Sequence, residues 1–229
     1  MAQRGRSEGG IGGEREQAGS AIPDVVIRRL PIYQRTLRSL ARSGIETVSS
    51  DELSARVGFS AAQIRRDLSS FGKFGRQGKG YDTAALADAI AGILHVDHSW
   101  DVALAGFGNL GRAIAHYRGF QPTFRIAAIF DENRHGSVDR ATGLTILPSA
   151  EMEEEIARLG IVVGIVATPA VVAQATADRM VAGGVRALLN YAPVVLRLPR
   201  GVAVRDIDPV AALQSLAYYL DDAQSAKAD

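Results

Sequence analysis

Three features of the 229-residue sequence predict an α/β fold in two parts. Residues 21–82 combine helically spaced apolar residues with two helix-capping patterns and a glycine-rich end. The rest of the chain alternates short apolar segments with helical ones, which is typical of a doubly wound parallel sheet. A glycine fingerprint stands at the start of that alternation. We therefore expect an N-terminal winged helix-turn-helix domain, then a Rossmann-type doubly wound sheet and a C-terminal helix.

Bulk composition limits the function classes. The sequence is 47% apolar, as in ordinary globular proteins, and has no apolar run long enough to predict a membrane span. The absence of cysteine excludes disulfides, thiolate catalysis and cysteine-ligated metals. His95 and His98 form a close pair without a third ligand nearby, so we expect no metal. Residues 1–20, rich in Gly, Glu and Arg, predict a disordered tail, and we expect a cytoplasmic protein.

Charge is distributed unevenly along the chain. Residues 21–82 contain 11 Lys or Arg against 6 Asp or Glu, whereas residues 83–229 contain 12 against 16. A basic front joined to an acidic back indicates that only the front meets a polyanion. The alternative is uneven surface charge of no consequence.

The first helix is expected after Pro31. Ile32, Leu37 and Leu40 stand close to helical spacing, and Gly44 is a typical C-terminal stop.

Two short helices joined by a tight turn should follow. Ser49 with Glu52, and Ser60 with Gln63, both fit the capping box, in which two side chains satisfy free backbone amides reciprocally. The two starts are separated by Gly58, which predicts a helix-turn-helix.

The second of these helices has an outward polar face. Ile64 and Leu68 are i, i+4 neighbours and should face the core. The residues left outward or at the flank are Gln63, Arg65, Arg66 and Ser70. Arginine can bind guanine and glutamine adenine in the major groove, and the helix start at Ser60 can take a phosphate. A helical hairpin with solvated arginines is the alternative.

The glycine-rich stretch "FGKFGRQGKGYD" resembles the wing of a winged helix. A flexible linker, the alternative, would rarely hold three aromatic residues so close together. The wing cations would neutralise phosphates. The expected DNA contacts are Ser60, Gln63, Arg65, Arg66, Ser70, Lys73, Arg76 and Lys79.

The stretch "DVALAGFGNLGRAIAHY" is a dinucleotide fingerprint in the required context of strand, turn and helix. Gly106 permits the tight turn, Gly108 lets a pyrophosphate approach, and Gly111 allows close packing of helix on strand. The expected loop contacts are Gly106, Phe107, Gly108, Asn109, Leu110 and Gly111.

Asp131 ends the next predicted strand, "FRIAAIF", at the usual position of a ribose-binding acid. Its charge would repel a 2′-phosphate, which favours NAD(H) over NADP(H), although Arg134 lies nearby. The alternative is a plain turn residue.

The remaining segments complete the sheet, with strands in "IVVGIVA", "VRALLNY" and "VAVRDID". Thr168 and Pro169 follow a strand at the edge where such sheets bind ligands, so they are candidates for the nicotinamide side. The final segment is amphipathic. The expected domains are the tail (1–20), the winged helix (21–82), the nucleotide domain (83–211) and a C-terminal helix and tail (212–229).

Taken together, these motifs resemble the Rex family of bacterial repressors that respond to the NADH/NAD+ ratio. The resemblance runs from Ile22 to Leu220 and includes "SSDELSARVGFSAAQIRRDLSSFGKFGRQGKGYD", "GFGNLGRAIAHY" and "DIDPVAALQSLAYYL" in the family's order. It implies a homodimer that binds an inverted repeat in double-stranded operator DNA, binds NADH and NAD+, and is released from DNA by NADH. It also implies a domain-swapped C-terminal helix.

By motif match, the resemblance implies coupling positions at Arg29, Arg35, Tyr117 and Asp208. The family usually has Val where Thr168 stands, Phe at Tyr191 and Leu at Pro209.

Two rival functions follow from the residues. One is an NAD-dependent dehydrogenase with a basic accessory domain, but the three lysines (73, 79 and 227) lie outside the nucleotide domain, and His116 and His135 have no obvious carboxylate partner in sequence. The other is a DNA-binding protein whose ligand is an adenine nucleotide without nicotinamide, because the fingerprint and Asp131 recognise only pyrophosphate and ribose.

Overall fold

The computed structural model describes residues 22–75 and 79–225. The expected disordered tail and Arg76 lie outside the described residues. The chain forms two compact units that divide between Asp97 and His98, beyond the boundary expected after residue 82.

The first unit is helical with a small sheet. Its elements are α1 (Asp24–Arg42), β1 (Thr47–Val48), α2 (Ser50–Val57), α3 (Ala61–Ser69), β2 (Tyr81–Asp82) and α4 (Thr83–Ile93). β1 and β2 pair antiparallel, with Val48 opposite Tyr81. Helix α4 packs against α1, and its Leu86 and Ile90 share a core with Leu37. The unit therefore extends past residue 82 because α4 buries its apolar face there.

Helix α1 begins at Asp24, not after Pro31 as expected, and Pro31 lies inside it. Its buried residues, Val26, Leu30, Tyr33, Leu37 and Leu40, are spaced alternately by four and three residues across the proline. A proline inside a helix costs about 3 kcal/mol. Burial of this continuous stripe outweighs that cost, and Pro31 itself is exposed.

The helix-turn-helix forms as the caps predict. Ser49 and Glu52 close a complete capping box, and Gly58 ends α2 with a φ of 76°. Ser60 accepts a hydrogen bond from the Gln63 backbone N–H, but the Gln63 side chain does not return it. The second capping box is therefore half-formed, because the Gln63 side-chain amide binds Asp67 instead.

The wing closes against β1 through its glycines. A side chain on Gly80 (φ 75°) would stand 2.6 Å from the Val48 carbonyl oxygen, and one on Gly75 would meet the Tyr81 ring. Tyr81 is buried, and Phe71 and Phe74 pack on the same core. The aromatic residues thus anchor the described part of the wing.

The second unit is a six-stranded parallel sheet with helices. Its elements are β3 (Trp100–Ala105), α5 (Asn109–Ala115), β4 (Phe124–Phe130), β5 (Ile146–Leu147), α6 (Met152–Leu159), β6 (Val163–Val166), α7 (Ala170–Gly183), β7 (Ala187–Asn190), β8 (Ala203–Asp206) and α8 (Pro209–Ser225). The strand order is β5-β4-β3-β6-β7-β8, the order of a dinucleotide-binding sheet. The two-residue β5 was not expected, since it is too short to show a period.

Helix α8 starts at Pro209, earlier than the expected residue 212. Asp208 caps it by accepting hydrogen bonds from the backbone N–H groups of Val210 and Ala211. Pro209 fits the first helical position, where its missing N–H is not needed. Every residue from Pro209 to Leu220 is exposed. Across residues 22–75 and 79–225, no helix is long and apolar enough to cross a membrane.

Candidate functional site

The outward face of α3 presents two arginines. Arg65 and Arg66 are exposed, as are Ser60 at the start of the helix and Ser70 at its end. Arg65 makes no hydrogen bond to any described residue, whereas Arg66 donates from Nη2 to the Gln63 side-chain oxygen at 3.0 Å. Free guanidinium donors on an exposed helix are suited to phosphate oxygens and base edges.

Gln63 does not point freely outward as expected. It is half-buried, and its Nε2 donates to Asp67 Oδ1 at 2.7 Å. Asp67 lies on the buried side of α3, so the i, i+4 spacing draws the Gln63 amide toward the core. This corrects the expectation that the Gln63 side chain points away from the core.

Asp67 collects hydrogen bonds from two helices. Arg29 on α1 binds it with two bonds, Nε to Oδ2 at 2.6 Å and Nη2 to Oδ1 at 2.8 Å. The Tyr33 hydroxyl donates to Oδ2 at 2.8 Å. Asp67 is only 1% exposed, so this carboxylate is compensated by partners instead of water.

The charge state of this cluster follows from its contacts. Burial alone would raise the pKa of Asp67, but hydrogen bonds from Arg29, Tyr33 and Gln63 outweigh it and hold that pKa below its usual value. The hydrogen bond to Asp67 raises the pKa of Arg29. Burial, with the bond to Asp67, raises the pKa of Tyr33. The pair is therefore fully ionised at neutral pH.

The turn between α2 and α3 is held to α1 by Phe59. The Arg29 guanidinium lies 5.7 Å from the centre of its ring, and Tyr33 meets it edge-on at 5.8 Å. The roles of Asp67 and Phe59 were not predicted from the sequence. The available signal was a carboxylate three residues after Ile64 and beside Leu68, on the apolar face of the helix.

The described wing cations, Lys73 and Lys79, are exposed, while Phe71 and Phe74 are partly buried. The loop thus turns its charge outward and its rings inward. This arrangement gives the first unit a cationic surface on α3 and on the wing.

In the second unit, the glycine loop connects β3 to α5 as the fingerprint predicts. Gly106 has a φ of 91°, and a Cβ there would lie 2.5 Å from the Ala167 carbonyl oxygen. A Cβ on Gly111 would overlap the Gly106 carbonyl oxygen, so the helix packs directly on the loop. A Cβ on Gly108 would meet nothing within 4 Å. Of the three fingerprint glycines, therefore, only Gly108 has open space beside it, and this is the glycine at which the pyrophosphate is expected.

The loop residues divide into exposed and buried. Asn109 and Leu110 are exposed, but Phe107 is buried in the core. The Phe107 N–H donates to Asp131 Oδ2 at 2.6 Å, so this amide is already used within the protein. The contact between Phe107 and the cofactor stays a prediction.

Asp131 holds the loop from the end of β4. Besides the Phe107 bond, Oδ1 accepts from the Asn133 N–H at 2.9 Å. A carboxylate offers about four acceptor positions, so two remain for ribose hydroxyls. The turn role and the ribose role of Asp131 are therefore compatible.

Thr168 follows β6 beside the glycine loop. Its methyl carbon would lie 3.1 Å from a Cβ on Gly106. Its hydroxyl oxygen is buried and has no hydrogen-bond partner among the described residues. Pro169 starts α7 as its N-terminal cap residue and is exposed. Thr168 thus offers an unused polar group at the strand edge.

These groups meet where the strand order reverses. β3 lies between β4 and β6, and the residues that follow the three strands are the glycine loop, Asp131 and Thr168. Ligands of open α/β sheets bind in this crevice.

A cavity of about 290 Å³ opens beside the loop. Its walls include the buried Phe107 and three arginines, Arg112, Arg134 and Arg140. Of these three arginines, only Arg134 was noted near the site from the sequence. This positive lining attracts phosphate, whereas Asp131 opposes a phosphate on the ribose.

His116 does have a carboxylate partner, contrary to the sequence-based expectation. Its Nε2 lies 3.0 Å from both oxygens of the buried Asp139, which also accepts from the Thr142 N–H and hydroxyl. His116 follows the last residue of α5, about 10 Å along the helix from the glycine loop. In the described chain, no three His, Asp or Glu side chains are grouped as a metal site.

The expected coupling residues occupy different settings. Arg29 is bound to Asp67, and Arg35 is exposed on α1. Tyr117 is 62% exposed after α5, and Asp208 caps α8.

Comparisons with known proteins agree with both units. Residues 21–69 match a family model described as "Putative DNA-binding protein N-terminus", and residues 97–194 match one described as "CoA binding domain". Among solved structures, "RSP in complex with beta-NAD+ and operator DNA" matches with a TM-score of 0.83 and 36% identity, covering 90% of this chain and 95% of that one. "RSP in complex with beta-NADH" matches with a TM-score of 0.80 and 33% identity, covering 91% and 98%.

Curated relatives cover most of the chain. The "Redox-sensing transcriptional repressor Rex" of Roseiflexus sp. (strain RS-1) is 51% identical over 199 residues, which are 86% of this chain and 90% of that protein. The protein of the same name from Streptomyces coelicolor is 41% identical over 199 residues, 86% of this chain and 77% of that protein. The chain therefore belongs to the Rex family of redox-sensing transcriptional repressors.

Proposed function

We propose that this chain is a transcriptional repressor that binds operator DNA through its first unit and senses the NADH/NAD+ ratio through its second. One observation carries the proposal. This chain exposes arginines on the second helix of a helix-turn-helix. It also has the glycine loop and Asp131 at the switch point of a dinucleotide-binding sheet. Membership in a family of redox-sensing repressors supports joining these two features into one function.

The proposed DNA contacts are the exposed groups of the first unit. Arg66 reads a base, while Arg65, Lys73 and Lys79 neutralise phosphates. Ser60 and Ser70, at the two ends of α3, bind the sugar-phosphate backbone of the DNA. Arg76 belongs to the same proposal on the strength of its place in the wing sequence.

The proposed dinucleotide site uses the glycine loop and the strand edges. Gly106, Gly108 and Gly111 shape the pyrophosphate contact, with the exposed Asn109 and Leu110 beside it. Asp131 binds the adenosine ribose, and Thr168 and Pro169 face the nicotinamide half. The ligand that releases the DNA is NADH, which differs from NAD+ by one hydride and by the charge on the nicotinamide ring.

Sensing requires different affinities for the two cofactors. A ligand shifts an equilibrium only by its differential affinity for the two states, so NADH must favour the DNA-free state more than NAD+ does. Couplings of about 1–3 kcal/mol are usual for such systems. By resemblance, Arg29, Arg35, Tyr117 and Asp208 carry this coupling.

Fluorescence anisotropy tests the function directly. The purified chain, bound to duplex DNA from its own upstream region, is titrated with NADH, NAD+, NADPH and ADP in separate experiments. We expect release by NADH at concentrations at which NAD+ leaves the complex intact. Equal release by ADP would favour an adenine-nucleotide sensor, and equal release by NADH and NAD+ would refute redox sensing.

Two substitutions separate base reading from phosphate binding. Arg66→Ala should weaken operator binding by about 1–3 kcal/mol and relax sequence preference, as loss of a base contact does. Lys73→Ala should weaken binding to all sequences and reduce the salt slope by about 1. Anisotropy on operator variants at several salt concentrations measures both. An unchanged preference in Arg66→Ala would remove it as the base reader.

Thr168→Val should have opposite effects on stability and on cofactor binding. A buried hydroxyl without a partner costs about 1–3 kcal/mol, so valine of similar shape should raise the melting temperature of the ligand-free chain. If the dinucleotide supplies the missing partner, the same change should lower NADH affinity. Thermal unfolding and NADH fluorescence measure the two effects, with Thr168→Ser as the control that keeps the hydroxyl. A stabilised variant with unchanged NADH affinity would contradict this role.

We further propose a homodimer in which α8 packs on the partner subunit as a domain-swapped helix. The exposure of Leu213, Leu216 and Leu220 along α8 supports it, since such a row is normally covered. Light scattering after gel filtration should give twice the mass of one chain.

We also propose that the chain is not an enzyme and acts in the cytoplasm. The support is membership in a family of transcriptional repressors and the absence of lysine from residues 98–225. A steady NADH absorbance during incubation with alcohols, aldehydes and 2-oxo acids is the expected result.

A further inference from the structure

We propose that Gln63 is a positioning residue that sets the direction of Arg66 through a chain of hydrogen bonds anchored on Asp67, and does not itself read a base. The inference rests on the proposed DNA binding by α3. It assigns the sequence-reading contact to Arg66 and gives the buried carboxylate beneath it a role in recognition.

The hydrogen bonds run in one direction. Arg66 Nη2 donates to Gln63 Oε1 at 3.0 Å, and Gln63 Nε2 donates to Asp67 Oδ1 at 2.7 Å. An ionised carboxylate only accepts, so it binds the NH₂ end of the Gln63 amide. The amide oxygen is thereby turned toward Arg66, and this orientation is the one an arginine requires.

The anchor of the chain is itself held rigidly. Asp67 is 1% exposed, and its oxygens also accept from Arg29 and Tyr33 on α1. Because α1 and α3 share this carboxylate, Gln63 is fixed relative to the domain core as well as to its own helix. Positions 63, 66 and 67 are i, i+3 and i+4 neighbours, so the whole chain stays on one side of α3.

Positioning leaves Arg66 able to bind DNA. Arginine has five N–H donors, and the Gln63 bond uses one of them. The side chain is otherwise exposed. An arginine held in one direction before binding loses less side-chain entropy on contact with a base. Arg65, exposed beside it without a hydrogen bond to the described chain, lacks this restraint and is the natural comparison.

The test is a double-mutant cycle on the full-length chain. Anisotropy is measured with its tightest-binding upstream duplex and with duplexes in which each base pair of one half-site is changed in turn. The variants are Gln63→Met, Arg66→Ala and the two combined, with Arg65→Ala as control. Met keeps the length of Gln without either hydrogen bond.

We expect Arg66→Ala to lower the preference at one base pair about tenfold, the loss of one good base contact. Gln63→Met should lower the preference severalfold at that same base pair. The double variant should match Arg66→Ala alone, because Gln63 acts only through Arg66. The salt slope should stay at the wild-type value in Gln63→Met, and the melting temperature should fall modestly, because one hydrogen bond to Asp67 is lost while those from Arg29 and Tyr33 remain. A merely structural role would weaken binding to all duplexes alike and would not single out the base pair that Arg66 reads. Arg65→Ala should change the salt slope and not the preference.

Three results would overturn the inference. Relaxation at a different base pair, or a further loss in the double variant, would make Gln63 a direct reader. Unchanged preference in Gln63→Met would remove any role. If Gln63→Met does not fold, Gln63→Ala is tested in the same cycle with the same expected result. A wild-type chain without sequence preference would instead count against the proposed function itself.

Discussion

Gly111→Ala should abolish NADH binding and destabilise the nucleotide-binding unit. An alanine Cβ would overlap the backbone oxygen of Gly106, which cannot rotate away as a side chain could. Overpacking usually costs about 1–3 kcal/mol, and a backbone clash belongs at or above the upper end of that range. A fall in melting temperature on the order of 10 °C is therefore expected from thermal unfolding.

Gly108→Ala is the matched control at the same loop. Gly108 has a φ of −70°, which alanine adopts freely, and its Cβ would meet nothing within 4 Å. The melting temperature should stay at the wild-type value, while NADH affinity falls because the methyl group occupies the space of the pyrophosphate. If Gly108→Ala binds NADH normally, the pyrophosphate does not lie against this loop. If Gly111→Ala is as stable as the wild type, the helix does not pack as described.

Asp67→Ala should lower the free energy of unfolding of the first unit by about 3–5 kcal/mol. Removing one member of a buried ion pair leaves the other charge uncompensated, here Arg29 at 14% side-chain exposure, together with the Tyr33 hydroxyl. Urea unfolding at neutral pH measures the loss.

The control is Asp88→Ala, which removes an exposed ion pair that is also formed by an aspartate and an arginine. Asp88 contacts Arg38 at 3.3 Å with both side chains largely in water, so its loss should change stability by less than about 1 kcal/mol. Equal losses in the two variants would show that the buried cluster contributes no more than a surface contact.

The Asp67 contribution should also depend on pH. Because its folded-state pKa is lowered, its stabilising effect is fully present above the ordinary carboxyl pKa of about 4 and is lost as the pH falls through the lower folded value. The difference between wild type and Asp67→Ala should therefore be constant near neutral pH and narrow below about pH 4. A difference that grows on acidification would contradict the assigned charge state.

Local chemistry explains what the sequence predicted well. The Ser49–Glu52 box and the positive φ of Gly58 depend only on neighbouring residues, so the helix-turn-helix was predictable from spacing. The fingerprint glycines fold as expected for the same reason. β4 matches its predicted segment in full, because seven consecutive residues show a clear apolar pattern.

Contacts between residues that are distant in sequence explain the features that could not be predicted. Arg29 and Asp67 are 38 positions apart, and nothing local shows that they meet. Asp67, held in place by Arg29, in turn binds the Gln63 amide, which helical position alone had placed on the outward face. The start of α1 before Pro31 was likewise decided by burial of the apolar stripe that includes Val26 and Leu30, which outweighs the local penalty of a proline.

Residue spacing and local backbone chemistry were enough to predict the two-part architecture, the capped helices, the glycine loop and Asp131. Folding was needed to show that α4 belongs to the first unit, that Phe107 is buried, that the Thr168 hydroxyl lacks a partner among the described residues, and that Gln63 links Arg66 to the buried Asp67. These depend on which surfaces meet after folding, because burial and hydrogen bonding are properties of the packed molecule and not of a stretch of chain.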